Sequence, residues 1–378
     1  MIKLDDYIND FGEFTFTEKP FNEIDNLIFS QLAYIDFENI ITTSAYSVEL
    51  SYASKKYFEL HTEKEIDNLI KISQKAVELM SVCAKTKRFG NTKLCHYVNN
   101  VNEQIDKQFS AVNFILNDGS LLVAFRGTDI TVTGVKESAM LSYMFPVPAQ
   151  IEALHYFQET AMNHNGDVRV CGHSKGGNLA VFAAVSCSNS LKKKIAGVYE
   201  NDAPGFPKWF FDRYDYQQIK YKIVSITPNS SIIGRMLYHD AKPVIVKSNN
   251  NGLKQHQVSS WLINDDYSLD TVDEYDFQSD LVCEYINNLI DYIGDDDLEL
   301  FFDTLEYLFE NSGVDDFYDL KEFDMKKVVS LIDTIKIIDE SQKERFKHII
   351  KKTVNDFTRE YLSEKGKTIF GNKKSLFG

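Results

Sequence analysis

Apolar residues in the first ninety positions recur at spacings of three and four. In FNEIDNLIFSQLAYIDF they fall at Ile24, Leu27, Ile28, Leu32 and Ile35, one face of a helix, with Asn22 placed to cap it. Thr62 and Glu65 form a T-x-x-E capping box ahead of Ile66, Leu69, Ile70, Val77 and Met80, which predicts a second helix. The period then shortens to that of a strand. Residues 109–116 and 120–126 read as two strands, and Asn117-Asp118-Gly119 between them has hairpin-turn chemistry.

Further on, helix and strand patterns alternate. Residues 148–163 read as a helix with Ile151, Leu154, Ala161 and Met162 on its apolar face. A strand over 168–171 runs through a Gly-rich turn into a helix over 175–187, and 195–199, 221–226 and 244–247 are further strands. Such alternation predicts an α/β fold with a mostly parallel central sheet flanked by helices, and an antiparallel hairpin at one edge. Beyond about residue 270 the strand signals stop and four segments read as helices, forming a small bundle or a cap on the sheet. The expected organisation is a domain over 1–265 with an N-terminal helical region, a helical extension over 266–365, and a flexible tail over 366–378. The Gly-Lys-Thr at Gly366 is no phosphate loop, because the glycine required five residues earlier is Tyr361.

Charge narrows the partners. A formal net charge of −15 over 378 residues argues against nucleic acid, which needs a basic face. Acidic residues concentrate over 265–324, whereas the chain from Lys343 onward is basic, a polarity read as a solvated helical surface. The opening MIKLDDYINDFGEF lacks the apolar core of a signal peptide, and no run approaches the ~18 apolar residues of a membrane span. Five cysteines, Cys83, Cys95, Cys171, Cys187 and Cys283, are odd in number and without metal or redox spacing. Reduced thiols in a cytoplasmic protein are the expectation.

Candidate chemistry centres on VRVCGHSKGGNLA. Gly172-His173-Ser174-Lys175-Gly176 matches G-x-S-x-G between a predicted strand and a predicted helix, the context of a nucleophile elbow. The following helix directs free N–H groups at the serine, so the amide of Lys175 is the natural first oxyanion donor. His173, next to the nucleophile, is expected to point away and to pack as a structural residue. Only the amide of Lys175 has a clear role.

The blocks LLVAFRGTD, PAQ at Pro148, VCGHSKGGNLA and YENDAPGF together resemble the Mbeg-like family of the α/β-hydrolase superfamily. They also resemble the class 3 lipases, which carry an FRGT-type strand end before a GHSxGG elbow. The resemblance covers roughly residues 1–265 and implies an α/β-hydrolase fold and acyl-transfer chemistry, not a substrate. By that likeness Thr128 contributes the second oxyanion donor, in keeping with the need for two N–H groups from different loops. Arg126 is expected in a buried ion pair that shapes this loop, with Asp129 as one partner.

Chain order in this superfamily is nucleophile, acid, histidine. Three histidines follow Ser174. His256, in GLKQHQVSSW after the last strand, is the expected base; His239 is the reserve, and His348 is expected at the surface. The acid stays open. Class 3 lipases carry an Asp beyond the strand corresponding to 221–226, where this chain has Thr227-Pro228-Asn229-Ser230-Ser231 and no carboxylate. Asn229 or Ser230 can orient an imidazole but not offset its charge. Asp202, past the preceding strand, and Asp240 are the other candidates.

Two functions follow. One is a serine hydrolase that cleaves acyl or lipid esters through an acyl-enzyme on Ser174, needing no metal or organic cofactor and allowing peripheral membrane contact. Met140, Leu141, Tyr143, Met144 and Phe145 would then line an acyl pocket or lid, or else pack a crossover. The other is a catalytically weak or inactive hydrolase fold serving as a binding or regulatory module, motivated by the missing lipase-position acid.

Overall fold

A computed structural model describes residues 2–41, 47–102, 104, 107–128, 140–250 and 252–293, with scattered positions between 298 and 348. Asp129, most of the loop before Met140, the later C-terminal helices and the Gly366 segment lie outside the described residues. The chain forms two compact units, Met1–Tyr275 and Asp276–Gly378. In the second, one helix is described over Phe277–Ile293.

The N-terminal region is helical as expected: α1 (Leu4–Phe11), α2 (Glu23–Leu32), α3 (Leu50–Leu60), α4 (Glu63–Asp67), α5 (Lys71–Cys83) and α6 (Lys87–Gly90). The side chain of Asn22 accepts from the amides of Ile24 and Asp25, so α2 starts where its sequence asks. The Thr62–Glu65 box also forms, but it caps only the short α4. A separate helix begins at Lys71 because Ile70 is extended, with ψ 151°. Gln74 Nε2 donates to the carbonyls of Asp67 and Leu69, taking the place of the backbone bonds that a continuous helix would make.

Among the described residues nine strands form one sheet in sequential order: β1 (Val48–Glu49), β2 (Lys93–Asn102), β3 (Lys107–Ile115), β4 (Leu121–Phe125), β5 (Val168–His173), β6 (Ile195–Asn201), β7 (Ile223–Pro228), β8 (Val244–Val246) and β9 (Thr271–Val272). The pairs from β4 to β8 are parallel; those from β1 to β4, and β8 with β9, are antiparallel. Both edges therefore carry antiparallel strands, not one. β9 lies beyond residue 270, where no strand was expected, and two residues are too few to show a period.

The crossover helices are α7 (Pro148–Ala161), α8 (Lys175–Ser186), α9 (Asn189–Lys194) and α10 (Tyr214–Ile219). Parallel strands in sequential order joined by right-handed crossovers put all such helices on one face. The other face needs a different cover. Alternation along β4 shows what supplies it. Leu121, Val123 and Phe125 pack with Phe157, Leu179 and Phe182 of the crossover helices, whereas Leu122 and Ala124 pack with Leu27, Ile28 and Met80 of the N-terminal helices. The N-terminal region is thus the second layer of a three-layer α/β unit, and β4 reads as an uninterrupted apolar run because both its faces are buried.

The buried face of α7 includes Ala161, with Leu154 and Met162 packed against the core as expected, but Ile151 is 39% exposed. The fully buried positions are Ala149, Ala153, Phe157 and Ala161. The alanines let α7 lie close along α8, where Gln150 Nε2 donates to Asn178 Oδ1 in the contact.

Candidate active site

Glycines set the elbow. A Cβ on Gly172 would lie 2.1 Å from the carbonyl carbon of Gly176, and one on Gly176 would lie 2.2 Å from the carbonyl oxygen of Phe125. Strand β5 can therefore meet helix α8, and α8 can meet strand β4, only without side chains at these two positions. Between them Ser174 has φ 57° and ψ −134°, a strained conformation for a residue with a Cβ. Its amide donates to the carbonyl of Asn201 at 2.9 Å, tying the tip of β5 to the end of β6. From Val170 to Val185 every residue is buried except Ser174, which is partly exposed.

The residues on either side of the serine are settled. Lys175 is buried, and its Nζ donates to the carbonyl of Gln108 at 2.8 Å, so the side chain is committed to β3. Its amide opens α8, at the positive end of the helix. Thr128 is partly buried and follows Gly127, where an added Cβ would lie 3.1 Å from the Cβ of Ser174. The two expected oxyanion positions therefore flank the serine. Arg126 Nη2 donates to Asn99 Oδ1 at 3.0 Å, and its own amide donates to the carbonyl of Ser110.

Asp202 is the carboxylate that meets His256. The imidazole Nδ1–H donates to Asp202 Oδ2 at 2.7 Å, with both groups buried. Asp202 follows β6 with φ 47°, a left-handed conformation that Asp tolerates better than most residues. Its amide donates to the carbonyl of Ile226 at 2.8 Å, which turns the chain over the end of β7. Ser231 Oγ accepts from the amide of Gly234 at 3.0 Å and donates its own proton to Asp202 Oδ1. A Cβ on Gly234 would lie 2.1 Å from that oxygen, so glycine is required there for the carboxylate to fit.

The other candidates are placed elsewhere. His239 Nδ1 lies 3.8 Å from Glu200 Oε1, and Asp240 lies 3.8 Å from Lys220 Nζ. His348 is exposed. At the lipase acid position, the Asn229 amide bonds the carbonyl of Val246 and the Ser230 amide donates to Gln255 Oε1 at 3.2 Å. That last bond holds the base loop, as does the bond of Trp261 Nε1 to the carbonyl of Gln255 at 2.8 Å.

His173 packs in the interior as expected, but it does not point away from the site. Its Nε2 meets the carbonyl of His256 at 2.7 Å, and its Nδ1 meets Tyr34 Oη at 2.9 Å. Burial first, and then the neighbouring His256, hold its pKa well below the usual histidine value, so the ring is neutral. A carbonyl can only accept, so Nε2 carries the proton and Nδ1 accepts from Tyr34. No local signal in the sequence marks Tyr34 as part of this arrangement.

In the segment before α7, Met140 and Leu141 are buried, and the ring of Phe145 packs at 4.9 Å from Trp209 and 5.6 Å from Phe182 and from Phe210. Met140 and Leu141 are thus core, Tyr143 and Phe145 are half-buried, and Met144 is exposed. Among the described residues no group of His, Cys, Asp and Glu is placed to hold a metal ion, and no helix is long and apolar enough to cross a membrane.

The Mbeg1-like family matches residues 83–307, more than half of the chain, and the protein belongs to that family. Similar solved structures include the M37 lipase, with 15% identity over 57% of this chain and 70% of that one at a TM-score of 0.35. The Rhizomucor miehei lipase in its propeptide complex has 13% identity over 55% of this chain and 74% of that one, at a TM-score of 0.33. No curated protein matches the sequence.

Proposed function

We propose that the protein is a serine hydrolase of α/β-hydrolase fold that cleaves acyl esters through an acyl-enzyme on Ser174. The observation that carries this reading is the buried 2.7 Å contact of His256 with Asp202, at the same sheet edge as the strained Ser174. An Nδ1–H held by a carboxylate leaves Nε2 unprotonated, which is the state a general base needs. His256 would take the proton of Ser174 as its Oγ attacks the ester carbonyl. The amides of Thr128 and Lys175 would stabilise the tetrahedral oxyanion, and His256 would return the proton to the leaving alcohol. Water, activated by the same imidazole, would then release the acid and regenerate the serine. None of these steps calls for a metal or an organic cofactor.

The chain order Ser174, Asp202, His256 supports the same reading. The binding-module alternative is motivated by the missing carboxylate at Asn229 and Ser230 and by the appended acidic and basic segment. The carboxylate of Asp202, from the end of β6, lies against His256 and favours the hydrolase reading over it. We take the unit Met1–Tyr275, which holds the sheet through β9, as the catalytic domain; the boundary expected at 265 falls short of that strand. All five cysteines are buried and in no disulfide, which suits a reducing compartment, and we place the protein in the cytoplasm.

The test is covalent labelling with a fluorophosphonate. The expected result is one adduct, mapped to the peptide bearing Ser174, absent from Ser174→Ala and strongly slowed in His256→Ala. A folded wild type that takes no label, or takes it on another serine, would overturn the proposal.

A further inference from the structure

The three groups assigned above leave the main chain of the base loop to be positioned, and a pair of buried side chains outside them reaches it. Tyr34 follows α2 in the N-terminal layer, and His173 lies at the end of β5; both are buried. The rings of His173 and His256 are 4.3 Å apart, and His173 Nε2–H donates not to the His256 ring but to its carbonyl. The Tyr34 hydroxyl, which donates to His173 Nδ1, also presses on Gly127, where an added Cβ would lie 2.1 Å from it.

We infer that Tyr34 and His173 form a positioning relay that holds the base loop at His256 and the oxyanion strand end at Gly127 in register with Ser174. The inference rests on the hydrolase reading. Neither residue touches the reacting atoms: the relay sets where the imidazole and the Thr128 amide stand. A hydrogen-bonding side chain next to the nucleophile is needed for this, whereas an apolar residue would fill the same space and leave the His256 carbonyl buried without its donor. A second link anchors the same helix. Asn26 of α2 and Asn201 of β6 exchange side-chain amide bonds at 2.8 and 3.1 Å, and the carbonyl of Asn201 receives the amide of Ser174. The N-terminal layer is therefore part of the site's frame.

Two substitutions separate the relay from simple packing. In His173→Gln the Nε2 donor can still reach the carbonyl of His256; in His173→Asn a Tyr34 partner is kept but that reach is lost. The rate of fluorophosphonate labelling is expected to fall on the order of 10²-fold in His173→Asn, as for a base displaced by about 1 Å, and to stay within about threefold of wild type in His173→Gln. Tyr34→Phe, which removes one oxygen and leaves the ring to pack, is expected to slow labelling by about tenfold. A variant that is only partly folded would show a smaller labelled fraction with the rate constant of that fraction unchanged.

Equal rates in the Asn and Gln variants would overturn the relay while leaving the hydrolase reading intact. An unlabelled wild type would overturn the hydrolase reading. The NMR chemical shifts of the His256 ring at one fixed pH then still decide the relay, which fails if they are the same in wild type, His173→Gln and His173→Asn.

Discussion

Replacing Asp202 by asparagine is expected to lower kcat for ester hydrolysis by about 10⁴-fold while leaving the fold intact. The size of the effect comes from proton placement. Asparagine is nearly isosteric with aspartate and also tolerates the left-handed conformation, with φ 47°, found at this position. Ser231 favours one way for the new amide to face. Its Oγ accepts from the amide of Gly234 and donates to Asp202 Oδ1, and the amide oxygen of the new residue is expected to keep that bond. The amide NH₂ is then turned toward His256 Nδ1 and donates to it. His256 is forced to carry its proton on Nε2, the nitrogen that must be free to accept the proton of Ser174. The measurement is kcat on short-chain acyl esters with fluorophosphonate labelling alongside. Hydrolysis within tenfold of wild type would remove Asp202 from the mechanism. Asn229→Asp in the Asp202→Asn background is expected not to restore the rate, because the base loop is held over the β6 end by its own bonds.

The elbow was legible because its constraints are local. Gly172 is glycine because of Gly176 and Gly177 in the same turn, and Gly176 because of Phe125 and Arg126 in the FRGTD strand end; both blocks are recognisable as strings. The choice of acid was not legible. Asp202 meets His256 because β6 and β7 are neighbours and the Asp202 amide crosses to the carbonyl of Ile226, a contact between strands that no spacing encodes. Searching beyond the strand that carries the acid in lipases led to Asn229 and Ser230. The residue from that turn which does act on the acid is Ser231, through its hydroxyl.

His173 shows the same limit more sharply. Its burial was foreseen from its place in the elbow, but its partners lie 139 residues before it and 83 after it, beyond the reach of any window. The N-terminal helices were readable as amphipathic segments, and their role was not. That role follows from sheet order, since a sequentially ordered parallel sheet leaves one face without crossover helices. On α7 Leu154, Ala161 and Met162 lie at the core as expected and Ile151 does not, because close packing on α8 called for the small residues Ala149 and Ala153.

Because the N-terminal layer carries Tyr34 and Asn26, what holds it in place bears on the site. Arg88 is expected to be its most sensitive point. The guanidinium is fully buried and pairs with the equally buried Asp25 through Nε at 2.9 Å and Nη2 at 2.5 Å. It also donates to the carbonyls of Thr15, Lys19 and Pro20, so one side chain closes the loop between α1 and α2. Arg88→Met fills similar space but leaves a buried carboxylate with no cation and takes the guanidinium donors from the carbonyls of Lys19 and Pro20. The expected loss is about 3–5 kcal/mol of unfolding free energy at neutral pH. The pH dependence has a definite sign. Burial already pushes the Asp25 carboxyl above its ordinary pKa, against the opposing pull of Arg88, and removing the guanidinium raises it further. A folded-state carboxyl pKa above the unfolded value means that the native state binds more protons, so stability falls as pH rises from the unfolded value through the folded one. The Arg88→Met deficit should therefore shrink as pH is lowered from 7 to 5, and Asp25→Leu added to Arg88→Met should recover much of it. Urea unfolding midpoints of the three chains at both pH values provide the measurement. A deficit under about 1 kcal/mol, or one that grows toward pH 5, would mean that the pair is not what fixes the layer.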